Sequence, residues 1–240
     1  MTQPRTTAPT PPRLRRRLLA ALRLRRVELI YLAGLVAFAA LAVSAHLYAY
    51  FGWDVIAERA LQQLPVPGLA AAMRFVSFFG NTWYPFALTA ATCLAFLARR
   101  RRTEAAGLLL CAGVGDLINV LTKFVVARPR PSALLVNVYR PLHTESFPSG
   151  HVNFYVCYFG FLFFVAYALL PKRTLARRLA LTITALFILA IGPSRIYLGA
   201  HWPSDTLGAY LLSALWLAAV LHFYRKWKQR STFHPEESDE

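Results

Sequence analysis

The sequence predicts an all-α protein: a bundle of six membrane-spanning helices with one further helix at the extracytoplasmic interface. Three observations predict it. Hydrophobic residues make up 57% of the 240, and mean hydropathy is +0.42, high for a soluble chain. The apolar residues fall in long runs, and about 20 such residues cross a bilayer as a helix. The 27 Lys and Arg are gathered in short blocks between those runs. A net charge of +16 would by itself suggest nucleic acid. Its placement between apolar runs argues instead for a membrane protein that binds no nucleic acid.

The chain divides into a basic, largely disordered N-terminus (1–26), a spanning domain (27–226) and a tail (227–240). The N-terminus is Thr/Pro-rich to residue 12 and carries Arg from Arg5 to Arg26. The first span is expected at 29–51. Its basic front and Val43-Ser44-Ala45 also suit a cleavable leader, but the apolar run exceeds the ~7–15 residues of a leader core. Loss of this span would leave the later topology unchanged. Next, Trp53, Ile56, Ala57, Ala60, Leu61 and Leu64 recur at helical spacing. Asp54, Glu58, Arg59, Gln62 and Gln63 take the other face. This amphipathic helix, ended by Pro65-Val66-Pro67-Gly68, either lines a lipid entrance or caps the bundle.

Five more spans are expected at 82–98, 104–126, 151–170, 179–198 and 205–223, the first of them short and extending back toward Phe78. With six spans, four basic blocks share one side: the N-terminus, Arg99 to Arg102, Lys172 to Arg178, and Arg225 to Arg230. Positive residues stay cytoplasmic, so both termini are expected inside. Arg59, Arg74, Lys123, Arg128, Arg130, Arg140 and Arg195 then lie on the outer side, where binding an anion would account for them. Cys93, Cys111 and Cys157 sit within apolar runs and read as small buried hydrophobes. No Cys/His or carboxylate cluster suggests a metal.

Three segments on that outer side carry chemistry. Pro148-Ser149-Gly150-His151 opens the fourth span, where a helix start offers free N–H groups and a positive dipole end. Gly150 allows close backbone approach, and Ser149 is either a donor to an anion or a plain cap. Lys123 ends the third span, Arg130 follows between Pro129 and Pro131, and Arg195 ends the fifth. Such cations clamp the equatorial oxygens of a phosphoryl group in transfer. His201 precedes a helix that Pro203 is placed to start, with Asp205 in its first turn. A carboxylate holding the Nδ1 proton would leave Nε2 as nucleophile. His151, across the site, can protonate the leaving oxygen. Asp116 and Asn119 share a helical face with Lys123 and serve either the site or helix packing; Glu145 either fixes its loop or is solvated. Arg128, Arg140, His46, His143 and His222 read as structural or surface residues.

These segments resemble the three signature motifs of the type 2 phosphatidic acid phosphatase superfamily, KxxxxxxRP, PSGH and SRxxxxxHxxxD, with every signature position filled from Lys123 to Asp205. The resemblance implies metal-independent hydrolysis of phosphate esters through a phosphohistidine, without a cofactor. It casts His201 as nucleophile, Asp205 as its orienter, His151 as general acid, and Lys123, Arg130, Arg195, Ser149 and Gly150 as phosphate ligands. The expected activity is a plasma-membrane phosphatase acting on lipid phosphates or diphosphates from the extracytoplasmic side. A phosphotransferase passing the group to a lipid or sugar acceptor is the alternative, and a non-catalytic lipid-phosphate transporter a further one. Headgroup selectivity is expected in 53–80 and 132–147.

Overall fold

The structure is a computed structural model that describes the backbone of residues 12–233 and the side chains of residues 25–228. Among the described residues nine α-helices follow in order: α1 Pro12–Leu47, α2 Gly52–Gln62, α3 Leu69–Phe78, α4 Tyr84–Ala98, α5 Arg102–Leu109, α6 Gly115–Val126, α7 Gly150–Leu169, α8 Leu175–Tyr197 and α9 Pro203–Phe233. No strand occurs among the described residues. Residues 12–26, expected to be largely disordered, are helical from Pro12, a residue suited to a first helical turn; residues 1–11 lie outside the described residues. Likewise α9 carries on past the expected end of the last span.

Among the described residues five helical stretches are long and apolar enough to cross a membrane: Arg25–Leu47, Arg102–Val126, Gly150–Leu169, Leu175–Tyr197 and Pro203–Lys228. The expected second span, α4, is apolar but has only 15 residues. That is about 22 Å of helix, against a hydrocarbon core of about 30 Å. It does not extend back toward Phe78 as one helix. Phe79 to Trp83 break the chain direction, with Thr82 at φ 46°, and α3 precedes them.

The bundle is built on α7. Val152, Tyr155, Cys157 and Phe161 are fully buried, and α7 packs against α8, α9, α5 and α6. The third span is not one regular helix. A π-helical turn at Leu110–Val114 separates α5 from α6. One extra residue in a turn advances the following face by roughly 100°. The loosened backbone finds partners: the Cys111 carbonyl accepts Trp216 Nε1–H at 3.1 Å, and the Gly115 carbonyl accepts from Asn153 at 3.1 Å. The cysteines are free, with Cys111 and Cys157 buried.

The amphipathic helix α2 is oriented opposite to a soluble one. Trp53 and Ile56 are 47% and 72% exposed, whereas Asp54 and Glu58 are 0% exposed. Beside a bilayer the outside is apolar, so α2 turns its apolar face outward and its carboxylates into the bundle. It also holds the long loop between α6 and α7. Gln62 pairs with both the N–H and the carbonyl of Asn137, like a peptide in a sheet, and Arg59 Nε donates to the Leu135 carbonyl.

Glu58 has no hydrogen-bond partner for either carboxyl oxygen. Burial, with the nearby charges of Asp54 and Asp205, pushes its pKa up to about 9. The folded protein therefore binds one proton more than the unfolded chain between about pH 4.5 and 9. Stability falls as pH rises through that window, by about 1.4 kcal/mol per unit for one proton. Glu58→Gln should remove this slope and leave the protein more stable than wild type at pH 8. Thermal unfolding in detergent at a series of pH values checks it; parallel curves for the two proteins would contradict it.

Candidate active site

Four helix ends meet on one face of the bundle. Lys123 lies in the last turn of α6, Gly150 and His151 open α7, Arg195 lies in the last turn of α8, and Asp205 lies in the first turn of α9. All the signature residues are brought together there. The basic blocks at Arg99–Arg102 and Lys172–Arg178 sit at the opposite ends of these helices.

His201 is placed by the short connection from α8 to α9. Gly199 there has φ 64°, and a side chain on it would run into Val138 Cα at 2.8 Å. Glycine is therefore required both for the backbone angle and for the close approach of the loop. The ring is 2% exposed, and Arg130 Nη1 lies 3.2 Å from Nε2. A guanidinium only donates, so Nε2 presents its lone pair and the ring proton resides on Nδ1. Burial holds the imidazole well below its usual pKa range, and the charges of Arg130, Lys123 and Arg195 push the same way. His201 is thus neutral, with Nε2 facing cations.

Asp205 is not hydrogen-bonded to His201 as the sequence suggested. Oδ2 lies 3.7 Å from Nδ1, and Nδ1 has no hydrogen-bond partner. The carboxylate is saturated elsewhere. Arg128 Nη1 donates to Oδ1 at 2.6 Å, while the Ser146 hydroxyl and the Trp202 N–H, the latter at 2.9 Å, donate to Oδ2.

Arg128, read from sequence as structural or surface, is the hub of this arrangement. It is 1% exposed. Its Nη2 meets Asp54 at 3.0 Å, its Nη1 also meets Ser204 Oγ at 2.7 Å, and its Nε meets the Tyr48 carbonyl at 3.3 Å. Asp54 in turn accepts from the Ser204 N–H and hydroxyl. One arginine thus joins α2, the loop and the start of α9. A sequence signal existed only in hindsight: an arginine at a variable position inside the first motif, just before Pro129, on the side where cations need a reason.

The cations expected to bind phosphate are held by backbone oxygens. Lys123 Nζ donates to the carbonyls of Glu145 and Ser146 at 2.7 and 3.3 Å. Arg130 donates to the carbonyls of Thr144, Glu145 and Ala200 and to the Thr144 hydroxyl. Arg195 donates to Ser77 Oγ, and its Nε is buried without a partner. Ser149 is the residue before α7, yet its hydroxyl makes no capping bond and is buried and unpartnered. Its N–H donates to the Asp205 carbonyl at 3.3 Å, fastening this helix start to α9. The loose donors Ser149 Oγ and Arg195 Nε accompany a helix N-terminus, a combination that suits a tetrahedral oxyanion.

Among the accessory candidates, Asn119 is buried and its amide reaches the Pro148 carbonyl at 3.5 Å. Glu145 acts through its carbonyl. Asp116, half-buried, takes no part in the site's hydrogen bonds but lies within electrostatic reach of Lys123. Besides Asp54 and the loop residues Thr144 and Ser146, the end of α3 and the turn after it also touch the site from outside every motif: Ser77 under Arg195, and Asn81, whose Oδ1 lies 2.9 Å from His151 Nε2.

Removing the Arg128 side chain would leave Asp54 and Asp205 buried together without a counter-charge. Arg128→Ala should therefore cost about 3–5 kcal/mol of stability. Thermal unfolding in detergent measures it, and a loss below about 1 kcal/mol would show that the network does not brace the fold.

The chain is similar to known proteins over most of its length. Residues 104–229, more than half the chain, match the PAP2 superfamily. Phosphatidylglycerophosphatase B of Bacillus subtilis is 26% identical over 195 residues, covering 80% of this chain and 93% of that protein. Decaprenylphosphoryl-5-phosphoribose phosphatase of Mycobacterium tuberculosis is 35% identical over 153 residues, covering 62% and 76%. The crystal structure of the transmembrane PAP2-type phosphatidylglycerolphosphate phosphatase from Bacillus subtilis superposes with a TM-score of 0.70 at 25% identity, covering 82% of this chain and 96% of that one. A bundle whose helix ends gather Lys123, Arg130, Arg195 and two histidines, with this sequence match over it, belongs to the PAP2 superfamily.

Proposed function

We propose that this multi-pass membrane protein hydrolyses lipid phosphates through a phosphohistidine on His201, on the extracytoplasmic face. The observation that carries the reading is the Arg130–His201 contact at 3.2 Å. It directs a nucleophilic lone pair toward the cations that would hold the phosphate. The relatives are a phosphatidylglycerophosphatase and a polyprenyl-linked phosphoribose phosphatase, which supports a phosphorylated lipid as substrate.

The substrate phosphate sits among Lys123, Arg130, Arg195, Ser149 Oγ and the N–H groups at the start of α7. His201 Nε2 attacks phosphorus as the bond to the lipid oxygen breaks. His151 gives that oxygen its proton. A water then attacks the phosphohistidine, with His151 accepting its proton, and releases inorganic phosphate. Asp205, set back at 3.7 Å, steadies the positive charge that develops on His201. The cationic clamp supplies the charge stabilisation that a metal would otherwise provide.

The orientation follows from the basic blocks at the other end of the helices, which stay cytoplasmic together with both termini. The plasma membrane is the expected location.

Two experiments test the reading. Detergent-purified protein should release phosphate from phosphatidic acid, phosphatidylglycerol phosphate or a polyprenyl diphosphate, equally with and without EDTA. Rapid quenching with radioactive lipid phosphate should trap label on His201, and His201→Ala should abolish both label and turnover. Label on His151 or Ser149, or turnover that requires a divalent ion, would overturn it. Transfer to an added lipid alcohol in preference to water would instead mark a phosphotransferase. For the orientation, a cysteine replacing Ser132 should react with an impermeant thiol reagent outside intact cells, and one replacing Thr174 should not. The opposite pattern would place the chemistry in the cytoplasm.

A further inference from the structure

The turn between α3 and α4 forms a wall of the site that no motif predicts. It lies against His151 with nothing between. A Cβ on Gly80 would come within 2.9 Å of the ring's Cγ. The turn is held by its own bonds, Gly80 N–H to the Ser77 carbonyl at 3.2 Å, Asn81 N–H to Phe78 at 3.1 Å and Tyr84 N–H to Asn81 at 3.0 Å. Ser77, at the end of α3, also accepts from Arg195. One short segment therefore touches both a phosphate-binding cation and the second histidine.

Asn81 Oδ1 lies 2.9 Å from His151 Nε2. An amide oxygen only accepts, so Nε2 carries a proton aimed at Asn81 and is occupied. The nitrogen left for the leaving oxygen is Nδ1. We infer that Asn81 is a positioning residue for the reaction, holding His151 by Nε2–H so that Nδ1 delivers the proton, and doing so without adding a counter-charge. This rests on the reading of His151 as general acid. With the anionic phosphate of the substrate seated among these cations, His151 is the imidazolium; during cleavage the proton on Nδ1 passes to the lipid oxygen as the P–O bond breaks, and His151 becomes neutral. In the second half Nδ1 takes a proton from the attacking water, which restores the imidazolium.

The two histidines are thus backed differently. His201 has a carboxylate behind it, Asp205, which favours the charged ring formed on attack. His151 has a neutral amide, which orients the ring and leaves its proton easy to give up. The charged and titratable groups facing His151 are Lys123 from α6, Arg130 from the loop, Arg195 from α8 and His201 from the connection to α9. Phe79 to Trp83 contribute no ionisable side chain. A carboxylate at position 81 would be the first negative charge against this ring.

The test uses the full-length protein in detergent with two substrates, short-chain phosphatidic acid, whose alkoxide must be protonated, and p-nitrophenyl phosphate, whose leaving group needs little help. Asn81→Ala should lower kcat on phosphatidic acid by about 10- to 100-fold and on the aryl phosphate by less than about 3-fold, with KM little changed. Asn81→Asp should move the alkaline limb of the phosphatidic acid pH profile to higher pH by about one unit. Equal losses on both substrates, or an unmoved limb in Asn81→Asp, would overturn the inference. Asn81→Asp is nearly isosteric and carries the test if Asn81→Ala does not fold. His151→Ala separates the two claims. If it shows the same contrast between substrates while Asn81→Ala does not, only the role of Asn81 falls. If His151→Ala shows no contrast, the assignment of His151 as acid falls, and this inference with it.

Discussion

Arg128 sits fully buried between Asp54 and Asp205, and the geometry of the site depends on that bridge. Removed from water, each of the three ions would be costly alone, by several kcal/mol even after relaxation. Together, with Ser204, Ser146 and the Tyr48 carbonyl completing their hydrogen bonds, they form a satisfied unit. The unit explains why α2 turns its carboxylates inward, since Asp54 must reach Arg128. It explains why Asp205 stands 3.7 Å from His201 instead of bonding to it, since its oxygens are already taken. It also fixes the start of α9, and with it the connection that presents His201.

A second constraint is helical phase. Asn119 and Lys123 lie one turn apart in α6, and the π turn before them sets which way they face. Without the extra residue the face bearing them would rotate by roughly 100° relative to Glu104 and Leu108, which are buried in α5. The same segment would then bury α5 properly or point Lys123 at the loop carbonyls, but not both. Small residues make the turn possible, because Gly115 lets Cys157 and Trp216 close against the backbone.

Much of this was legible in the sequence, for a physical reason. Membrane spans announce themselves by length and hydropathy, and the signature residues at helix ends fall at fixed spacing from those spans. Lys123, His151, Arg195 and Asp205 are placed by that spacing alone. The α2 helix was found by its period, but its inward face was not, because amphipathicity gives two faces and only the surroundings decide which is buried. Arg128 was missed because its partners, Asp54 and Asp205, are 74 and 77 residues away. Asn81 lay in a short connection without periodicity, and α3 was lost in an apolar stretch too brief to stand out. The π turn left no trace, since Leu110 to Val114 read as ordinary helix.

The bonds that Lys123 and Arg130 make to the carbonyls of residues 144–146 have a bearing on turnover. The clamp without phosphate is not a nest of bare charges but one already coordinated by oxygen. If the clamp holds phosphate as proposed, substrate entry is an exchange of carbonyl oxygens for phosphate oxygens, and product release is the same exchange in reverse. Binding would draw only on the difference between the two sets of bonds, so even a cationic cradle would hold its anion with restraint. On the proposed mechanism inorganic phosphate must leave after every cycle, and the loop carbonyls then help to displace it, because they compete for the same donors.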